Sequence, residues 1–269
     1  MLEIKRLVCP HCGRELKGPD PYITRFCSTC LRHWIITGEE LSPLAIRRAL
    51  TDQEADLMLP FWISIIDNHR LAADISEAVD ELRRQRGMMA SVRMEGEQGD
   101  DFLDQFTRKS GMEKMEMLSA GRVSSKMAGL RQIDNFINEI RGYGSYRVYV
   151  PAFISSNPFA YLKAGKMLTA RQPSFKMEPS ASLRNPVLCS VDSSEASALM
   201  DFVFLASLPK AILRYGQLLK DIRVQAAGPP SLVNFPFRAG KGSLISIIGE
   251  FSISSRLVQR AEIAGGRIS

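Results

Sequence analysis

Four cysteines near the start of the chain have the spacing of a metal site. Cys9 and Cys12 form one CxxC pair, Cys27 and Cys30 form a second, and fourteen residues separate the two pairs. Two residues between the cysteines of a pair let both sulfurs reach one ion, and four thiolates suit the tetrahedral preference of Zn²⁺. The sequence therefore predicts one structural Zn²⁺ bound by these four side chains.

The first pair reads Cys9-Pro10-His11-Cys12-Gly13, and with the second pair it resembles the zinc-ribbon and rubredoxin-like superfamily over about residues 7–36. The resemblance implies a small three-stranded ribbon held by its metal. Such ribbons occur in transcription factors, ribosomal proteins, enzymes and adaptors alike, so the resemblance implies a fold element and not an activity. Leu31 stands where rubredoxins usually have glycine, which favours zinc over a redox iron.

The remaining residues with metal-binding or nucleophilic chemistry are few. His11 and His33 lie close to the cysteine pairs and are alternative ligands, but four thiolates already satisfy the ion. His69 is interpreted as a residue of a turn or helix start. Cys189 follows an apolar run and is interpreted as a small buried hydrophobe. With no GxSxG, HExxH or GxGxxG motif in the chain, we assign no catalytic and no cofactor-binding residue.

Two further motifs favour structural interpretations. Met112, Met115 and Met117 have thioether spacing for a soft metal, but their charged neighbours favour an adaptable packing or partner-binding face. Gly240-Lys241-Gly242 lacks the spacing of a phosphate-binding loop and is typical of a hairpin turn between two strands.

Composition bounds the class of protein. The chain has 269 residues, 45% of them hydrophobic and 24% charged, which is ordinary for a globular protein of one or two domains. No run of 18 apolar residues and no secretory signal is evident, so we expect a soluble, cytoplasmic protein without a membrane span.

The formal net charge of +6 is spread unevenly. The balance of basic over acidic residues is +3 in residues 1–50, −4 in 51–150 and +7 in 151–269. This surplus suits a nucleic acid, an anionic surface or an acidic protein, but the chain lacks the Lys/Arg blocks of a dedicated polyanion binder.

In the first half of the chain, Ser42-Pro43 has the pattern of an N-cap followed by proline and predicts a short helix. Residues 57–66 predict a buried strand, in which Pro60 indicates an edge or a bulge. Apolar residues at helical spacing predict one helix over 68–86 and a second that ends before Gly142.

In the second half, residues 146–153 alternate as a strand, and Asn157-Pro158 predicts the start of a helix. Asp192 and Glu195 have capping-box spacing before a helix whose predicted apolar face contains Leu199, Phe202, Val203 and Ala206. Two strand patterns, Leu232–Phe237 and Leu244–Val258, predict a hairpin across residues 240–242.

One internal similarity suggests a duplication. The segment Pro60–Ile66 resembles Pro236-Phe237 together with Ile245–Ile248, and Val150–Phe153 is a weaker third copy. Two similar halves would explain this pattern, and chance similarity between apolar strands is the alternative.

These observations lead to an α+β fold with a zinc ribbon at 1–41 and an α+β body at 42–269, in which 87–126 is a mobile, Met-rich insertion. The favoured function is a non-enzymatic accessory or adaptor protein that contacts other proteins and binds nucleic acid only weakly. The alternative is a nucleic-acid-associated or regulatory factor that uses Arg14, Lys17, Arg25 and Arg32. An enzyme with a pocket in the body is the third hypothesis.

Overall fold

The computed structural model describes residues 7–18, 22–38, 40–96, 132–153, 158–179, 189–210, 222 and 224–255. Contacts divide the chain into two compact units. The first contains the described residues within 1–66, 147–207 and 226–269, and the second those within 67–146 and 208–225.

A three-stranded antiparallel sheet follows the first cysteine pair. Its strands, in spatial order, are β1 (Thr24–Cys27), β2 (Arg32–Thr37) and β3 (Glu40–Leu44). Cys27 ends β1, and Cys30 lies in the turn that leads into β2. Trp34, Ile35 and Ile36 lie in β2, and Trp34 is buried.

The helix predicted at Ser42-Pro43 is wrong. Both residues lie in β3, opposite Ile35 and Trp34, and the next residues form strand β4 (Ile46–Ala49). Among the described strands β3 pairs with β2 alone, and an edge strand tolerates a residue without an N–H. Pairing with β2 therefore outweighs the local signal for a helix start.

A mixed seven-stranded sheet forms the larger part of the first unit. Its strands are β4 (Ile46–Ala49), β5 (Leu57–Ile66), β6 (Tyr146–Pro151), β7 (Met177–Pro179), β8 (Ser231–Gly240), β9 (Ser243–Ser246) and β10 (Ser252–Ser254). β8 is central, because it pairs antiparallel with β5 and β9 and parallel with β4. The hairpin predicted across residues 240–242 is confirmed as the β8–β9 connection. The chain is thus α+β, as expected.

The expectation that Pro60 marks an edge or a bulge is wrong. β5 pairs with both β6 and β8, and its register with β8 is unbroken around Pro60. The Pro60 carbonyl accepts a hydrogen bond of 2.9 Å from the Ala152 amide, just beyond the end of β6. The N–H and C=O of a strand residue point to the same side of the strand. The N–H that Pro60 lacks would therefore face the end of β6 and not β8. The β5–β8 ladder loses no hydrogen bond.

Aromatic rings fill the core on one face of this sheet. The ring centroid of Phe61 lies 5.7 Å from that of Phe153, 5.3 Å from that of Phe235 and 6.4 Å from that of Phe237. The similar segments seen in the sequence therefore meet in one aromatic cluster. Their origin by duplication stays a prediction.

The helices confirm most of the sequence patterns. They are α1 (Asn68–Gly96), α2 (residues 132–142), α3 (Pro158–Arg171) and α4 (Ser193–Ser207). The capping box at the start of α4 is complete: Asp192 Oδ1 accepts from the amides of Ser194 and Glu195 at 2.8 Å, and the Asp192 amide donates to Glu195 Oε2 at 3.0 Å. Val203 is buried as predicted, but Phe202 is 64% exposed.

In the second unit, α1 and α2 are joined by charged and polar side chains. Arg83 bridges Asp80 and Asp134 with bonds of 3.0 and 2.9 Å. Asn68 Nδ2 donates to the carbonyls of Ile140 and Tyr143 at 3.2 and 2.7 Å. The predicted apolar stripes are buried at Leu71, Ile75, Val79, Ile133, Ile137 and Ile140.

α1 continues to Gly96, so the beginning of the 87–126 segment is helical. The rest of that segment, with Met112, Met115 and Met117, lies outside the described residues. In the described part of the chain, no helix combines the length and apolar character that crossing a membrane would need.

Thr169 in α3 and Gln172 just after it form hydrogen bonds with the backbone of β6, on the edge that faces away from β5. The Arg147 amide donates to Gln172 Oε1 at 2.9 Å, and Gln172 Nε2 donates to the Arg147 carbonyl at 2.6 Å. The Tyr149 amide donates to Thr169 Oγ1 at 3.1 Å. At Gly165, an added Cβ would lie 2.3 Å from the Tyr149 carbonyl oxygen. The helix thus replaces a neighbouring strand.

Candidate metal centre

The four cysteines predicted as ligands come together in one cluster. All four Sγ atoms lie within 4.8 Å of one another. The separations are 3.6 Å for Cys9 and Cys30, 3.4 Å for Cys12 and Cys27, and 4.0 Å for Cys12 and Cys30. A disulfide holds its sulfurs about 2.05 Å apart, so these are four separate thiols.

The spacing of the sulfurs fits a tetrahedral metal ion. An ion about 2.3 Å from each of four thiolates holds neighbouring sulfurs about 3.8 Å apart. The three separations of 3.4, 3.6 and 4.0 Å bracket that value. The cluster can therefore hold a metal ion with little rearrangement.

Tight turns present each pair of sulfurs. In the first turn the Gly13 amide donates to the Cys9 carbonyl at 2.8 Å, and the Cys9 amide donates to the Arg14 carbonyl at 2.7 Å. The residue that follows the second cysteine of each pair has a left-handed backbone, with φ of 69° at Gly13 and 54° at Leu31. The two pairs thus share one turn geometry, although the second achieves it without glycine.

Backbone amides point at the sulfurs in the same pattern in both turns. Cys9 Sγ accepts from the amides of Cys12 and His11, and Cys27 Sγ accepts from those of Cys30 and Thr29. Each first cysteine therefore receives hydrogen bonds from the residues two and three positions later. Such donors stabilise a thiolate, the form that binds a metal.

The proximity of the thiols makes their ionisation unequal. Burial opposes ionisation of Cys27, but hydrogen bonds from the Cys30 amide and the Cys12 thiol outweigh it and lower the pKa of Cys27 to about 6. Burial and the neighbouring sulfurs raise the pKa of Cys30 to about 12. The first thiolate forms easily and the last does not, because negative charge accumulates in a small volume. A bound cation removes this obstacle.

Around the cluster the apolar core is very small. Its buried members are Cys9, Leu16, Cys27 and Trp34, with Cys30 and Leu41 partly buried beside them. Half of the buried residues are thus candidate metal ligands. A bound ion would supply cohesion that apolar contacts here cannot.

The cluster-bearing sheet is hydrogen-bonded to the segment that contains Cys189. The Ile23 amide donates to the Cys189 carbonyl at 2.9 Å, and the Cys189 amide donates to Thr24 Oγ1 at 3.0 Å. Cys189 itself is fully buried, its Sγ lies 3.1 Å from the Val191 carbonyl oxygen, and burial raises its pKa to about 12. The interpretation of Cys189 as a small buried hydrophobe is confirmed.

Among the described residues, the metal-binding cluster consists of the four cysteines and includes no histidine. His11 is exposed in the first turn, and His33 is buried in β2 with its ring centroid 4.8 Å from that of Phe26. His69 is an exposed residue in the first turn of α1, as interpreted from the sequence.

Of the four predicted basic residues of the ribbon, one does not lie at the surface. Arg14, Lys17 and Arg32 are exposed. Arg25 is buried, and its guanidinium donates to the carbonyls of Thr24, at 3.0 Å, and Tyr22. The sequence did not distinguish this structural arginine from the others.

A surface cavity of about 500 Å³ is the feature closest to the third hypothesis. Phe175 and Ile248 contribute apolar walls, and Asp52 and Glu250 contribute carboxylates. Arg171 also lines it, but its guanidinium donates to the carbonyls of Gly249 and Glu250, the latter at 2.8 Å. Arg171 therefore has a structural use in closing the 247–250 loop.

Comparison with protein families, with curated proteins and with solved structures gives no match for this chain. The four-cysteine cluster beside a small antiparallel sheet is consistent with a zinc-ribbon-like module.

Proposed function

We propose that Cys9, Cys12, Cys27 and Cys30 bind one structural Zn²⁺ and that the chain is an accessory or adaptor protein whose role is to contact other proteins. The closed four-thiolate cluster carries this proposal. Four protein ligands fill a tetrahedral ion, whereas a catalytic zinc keeps a position open for water or substrate. The ion therefore stabilises the ribbon and takes no part in a reaction.

Exposed apolar side chains support a role in protein contact. The described residues include seven large hydrophobic side chains that are exposed, and three of them, Leu7, Val8 and Leu31, belong to the ribbon. Leu7 and Val8 are adjacent in the chain, and exposed apolar residues that lie together are typical of interaction surfaces. Cysteine pairs that act as metal ligands and not as disulfides are typical of a reducing compartment such as the cytoplasm.

The alternative, a nucleic-acid-associated factor, is favoured by the exposed Arg14, Lys17 and Arg32. Burial of Arg25 leaves three basic side chains on the ribbon for phosphates. The logarithm of the affinity for duplex DNA falls with the logarithm of the salt concentration by about 0.9 per phosphate contact. Three contacts would therefore give a slope of about −3 at most.

The test begins with metal analysis of the purified full chain, for which we expect one zinc per chain. Chemical cross-linking in native extract, with and without nuclease, then identifies what the protein contacts. We expect protein adducts that survive nuclease and moderate salt. Adducts that disappear with nuclease, together with salt-steep binding to DNA or RNA that Arg14→Glu and Arg32→Glu abolish, would establish the alternative instead.

A further inference from the structure

Residues 189–192 are hydrogen-bonded both to the ribbon and to the larger sheet, and we call them the joint segment. On the ribbon side, the Ile23 amide donates to the Cys189 carbonyl at 2.9 Å, and the Cys189 amide donates to Thr24 Oγ1 at 3.0 Å. Both backbone groups of Cys189 are therefore bonded to residues at the start of β1. The same strand ends at Cys27, one of the candidate metal ligands.

On the other side, the joint segment is bonded to the strands of the larger sheet. The Ser190 amide and hydroxyl both donate to the Ala152 carbonyl, at 2.8 and 3.1 Å. The Val191 carbonyl accepts from Trp62 Nε1 in β5 at 2.7 Å, and the same oxygen lies 3.1 Å from Cys189 Sγ. The indole of Trp62 thus contacts the carbonyl group that the Cys189 side chain also contacts.

The joint segment also provides the cap of α4. Asp192 is its last residue, and the Asp192 carboxylate accepts from the amides of Ser194 and Glu195 at 2.8 Å. The first amides of a helix have no partner inside the helix and depend on such a cap. A loss of order at Asp192 would therefore expose these amides to solvent.

The bonds on the ribbon side depend on a region that apolar packing holds only weakly. The Ile23 carbonyl accepts from the Ile36 amide of β2 at 2.8 Å, so Ile23 is in place only when the ribbon sheet is formed. Folding of a small four-cysteine module is coupled to metal binding. Cys189 is fully buried, and without the ribbon its amide and carbonyl would lose their hydrogen-bond partners, which is costly for buried groups.

We propose that zinc occupancy of the ribbon controls the order of the joint segment and, through it, the environment of Trp62 and the start of α4. The ribbon is then a metal-dependent clamp on residues 189–192. The response is local, because the bonds from Ser190 to Ala152 keep the segment attached to the larger sheet. This inference rests on the proposed zinc site and is independent of the adaptor role.

The experiment compares the full-length, zinc-loaded protein with the same protein after treatment with EDTA. Labelling with 5-fluorotryptophan gives two ¹⁹F resonances, because the chain has two tryptophans, Trp34 in the ribbon and Trp62 in β5. We expect both resonances to move when zinc is removed and to return when it is restored. Amide exchange at residues 189, 194 and 195 should accelerate by about tenfold or more, whereas protection in β8 should not change.

Thr24→Val is the variant that interrupts the clamp on the ribbon side. It removes the hydroxyl that accepts from the Cys189 amide and keeps a side chain of similar size. At saturating zinc we expect one zinc per chain, faster exchange at the Cys189 amide and a Trp62 resonance displaced toward its zinc-free position. Thr169→Val is the matched control, because it removes a buried hydroxyl that accepts from the Tyr149 amide at 3.1 Å. It should leave the zinc response of Trp62 unchanged.

A second variant tests the clamp from outside the ribbon. If zinc orders the joint segment, order in that segment must in turn raise the affinity for zinc. Ser190→Ala removes the hydroxyl bond to Ala152 and should lower the zinc affinity by about two- to threefold in chelator competition. Ser246→Ala removes a comparable bond to the Ile248 carbonyl and should not change that affinity. The pair keeps the test valid where Thr24→Val destabilises the ribbon itself.

The outcomes separate this inference from the proposed metal site. If zinc binds and its removal moves the Trp34 resonance alone, the metal site stands and the clamp is wrong. Loss of protection in β8 together with the joint segment would show that zinc holds the whole larger sheet, which would contradict a local response. If the full chain binds no zinc, the metal site fails and the clamp fails with it.

Discussion

The ribbon and the larger sheet are stabilised in different ways. In the ribbon, the apolar cluster around the cysteines has four buried residues, two of which are themselves candidate ligands. The larger sheet has a core of fifteen buried residues, including five phenylalanines, of which Phe153, Phe235 and Phe237 surround Phe61. The second core buries much more apolar surface, so it contributes more to offsetting the entropy of chain ordering.

This difference explains where each region tolerates unusual residues. In and around the larger sheet, extensive packing holds prolines within strands and two non-glycine residues at positive φ, Gln172 and Glu250. In the ribbon the metal ligands determine the fold, so residues that are not ligands, such as Leu31, are less constrained by packing. The comparison predicts that the two regions will respond to different perturbations.

Loss of one ligand should give the largest effect. We expect Cys27→Ser to abolish stoichiometric zinc binding and to unfold residues 7–38, because apparent binding energies of roughly 10–16 kcal/mol are coupled to folding of such modules. Amide hydrogen exchange would detect this as a loss of protection in β1 and β2. The fifteen-residue core should keep its protection.

Cys189→Ala is the matched control, since it removes a buried thiol outside the cluster. It should retain one zinc per chain. Unfolding of the whole first unit in Cys27→Ser would show that the bonds from Cys189 to Ile23 and Thr24 couple the two regions strongly. Full zinc content in Cys27→Ser would contradict the ligand assignment.

The sequence predicted the cluster because the spacing of two CxxC pairs is by itself enough to indicate metal binding. Capping signals at Asn157-Pro158 and Asp192 were also sufficient, since a helix start depends on a few adjacent residues. The helix predicted at Ser42-Pro43 was wrong because the same local pattern occurs at helix starts and in edge strands. Pairing with β2, which the local sequence does not show, decides between them.

Other features depend on contacts between distant residues and leave no local pattern. Pro60 is compatible with a central strand because of where β6 ends, which the residues around Pro60 do not encode. Burial of Arg25 depends on the carbonyl groups of the β1 segment that accept from its guanidinium. Exposure of Phe202 depends on which face of α4 packs inward. The left-handed backbone of Leu31 depends on the turn between Cys27 and Arg32, and a leucine does not indicate such a position.

In the larger sheet the most sensitive position should be Gly165, where α3 approaches the edge of β6. Gly165→Ala places a Cβ 2.3 Å from the Tyr149 carbonyl oxygen and 2.8 Å from Pro151 Cδ. The backbone of β6 cannot move away easily, so we expect the free energy of unfolding to fall by about 3 kcal/mol. Urea denaturation followed by circular dichroism would measure it.

Gly142→Ala provides the comparison, because Gly142 ends α2 and an added Cβ there has nothing within 4 Å. It should change stability by less than about 1 kcal/mol, in the stabilising direction expected for alanine in a helix. A Gly165→Ala variant as stable as Gly142→Ala would show that α3 is not seated against β6.

The smallest effect we predict compares two of the three described non-glycine residues at positive φ, Gln172 near the larger sheet and Leu31 in the ribbon. Gln172→Gly relieves the backbone by about 1 kcal/mol, but it removes the hydrogen bonds of 2.9 and 2.6 Å to Arg147 and one of 2.7 Å to the Thr169 carbonyl. At about 1 kcal/mol per bond, the loss exceeds the gain, and the free energy of unfolding should fall by about 1–2 kcal/mol.

Leu31→Gly should act in the opposite direction, because the same relief comes with no hydrogen bond to lose, and we expect a gain of about 0.5–1 kcal/mol. Both variants would be measured at saturating zinc, so that metal occupancy is equal. Opposite signs would show that packing in the larger sheet uses its strained residue, whereas the ribbon carries strain that its own fold does not need. A destabilised Leu31→Gly would mean that the leucine side chain contributes to the stability of the ribbon.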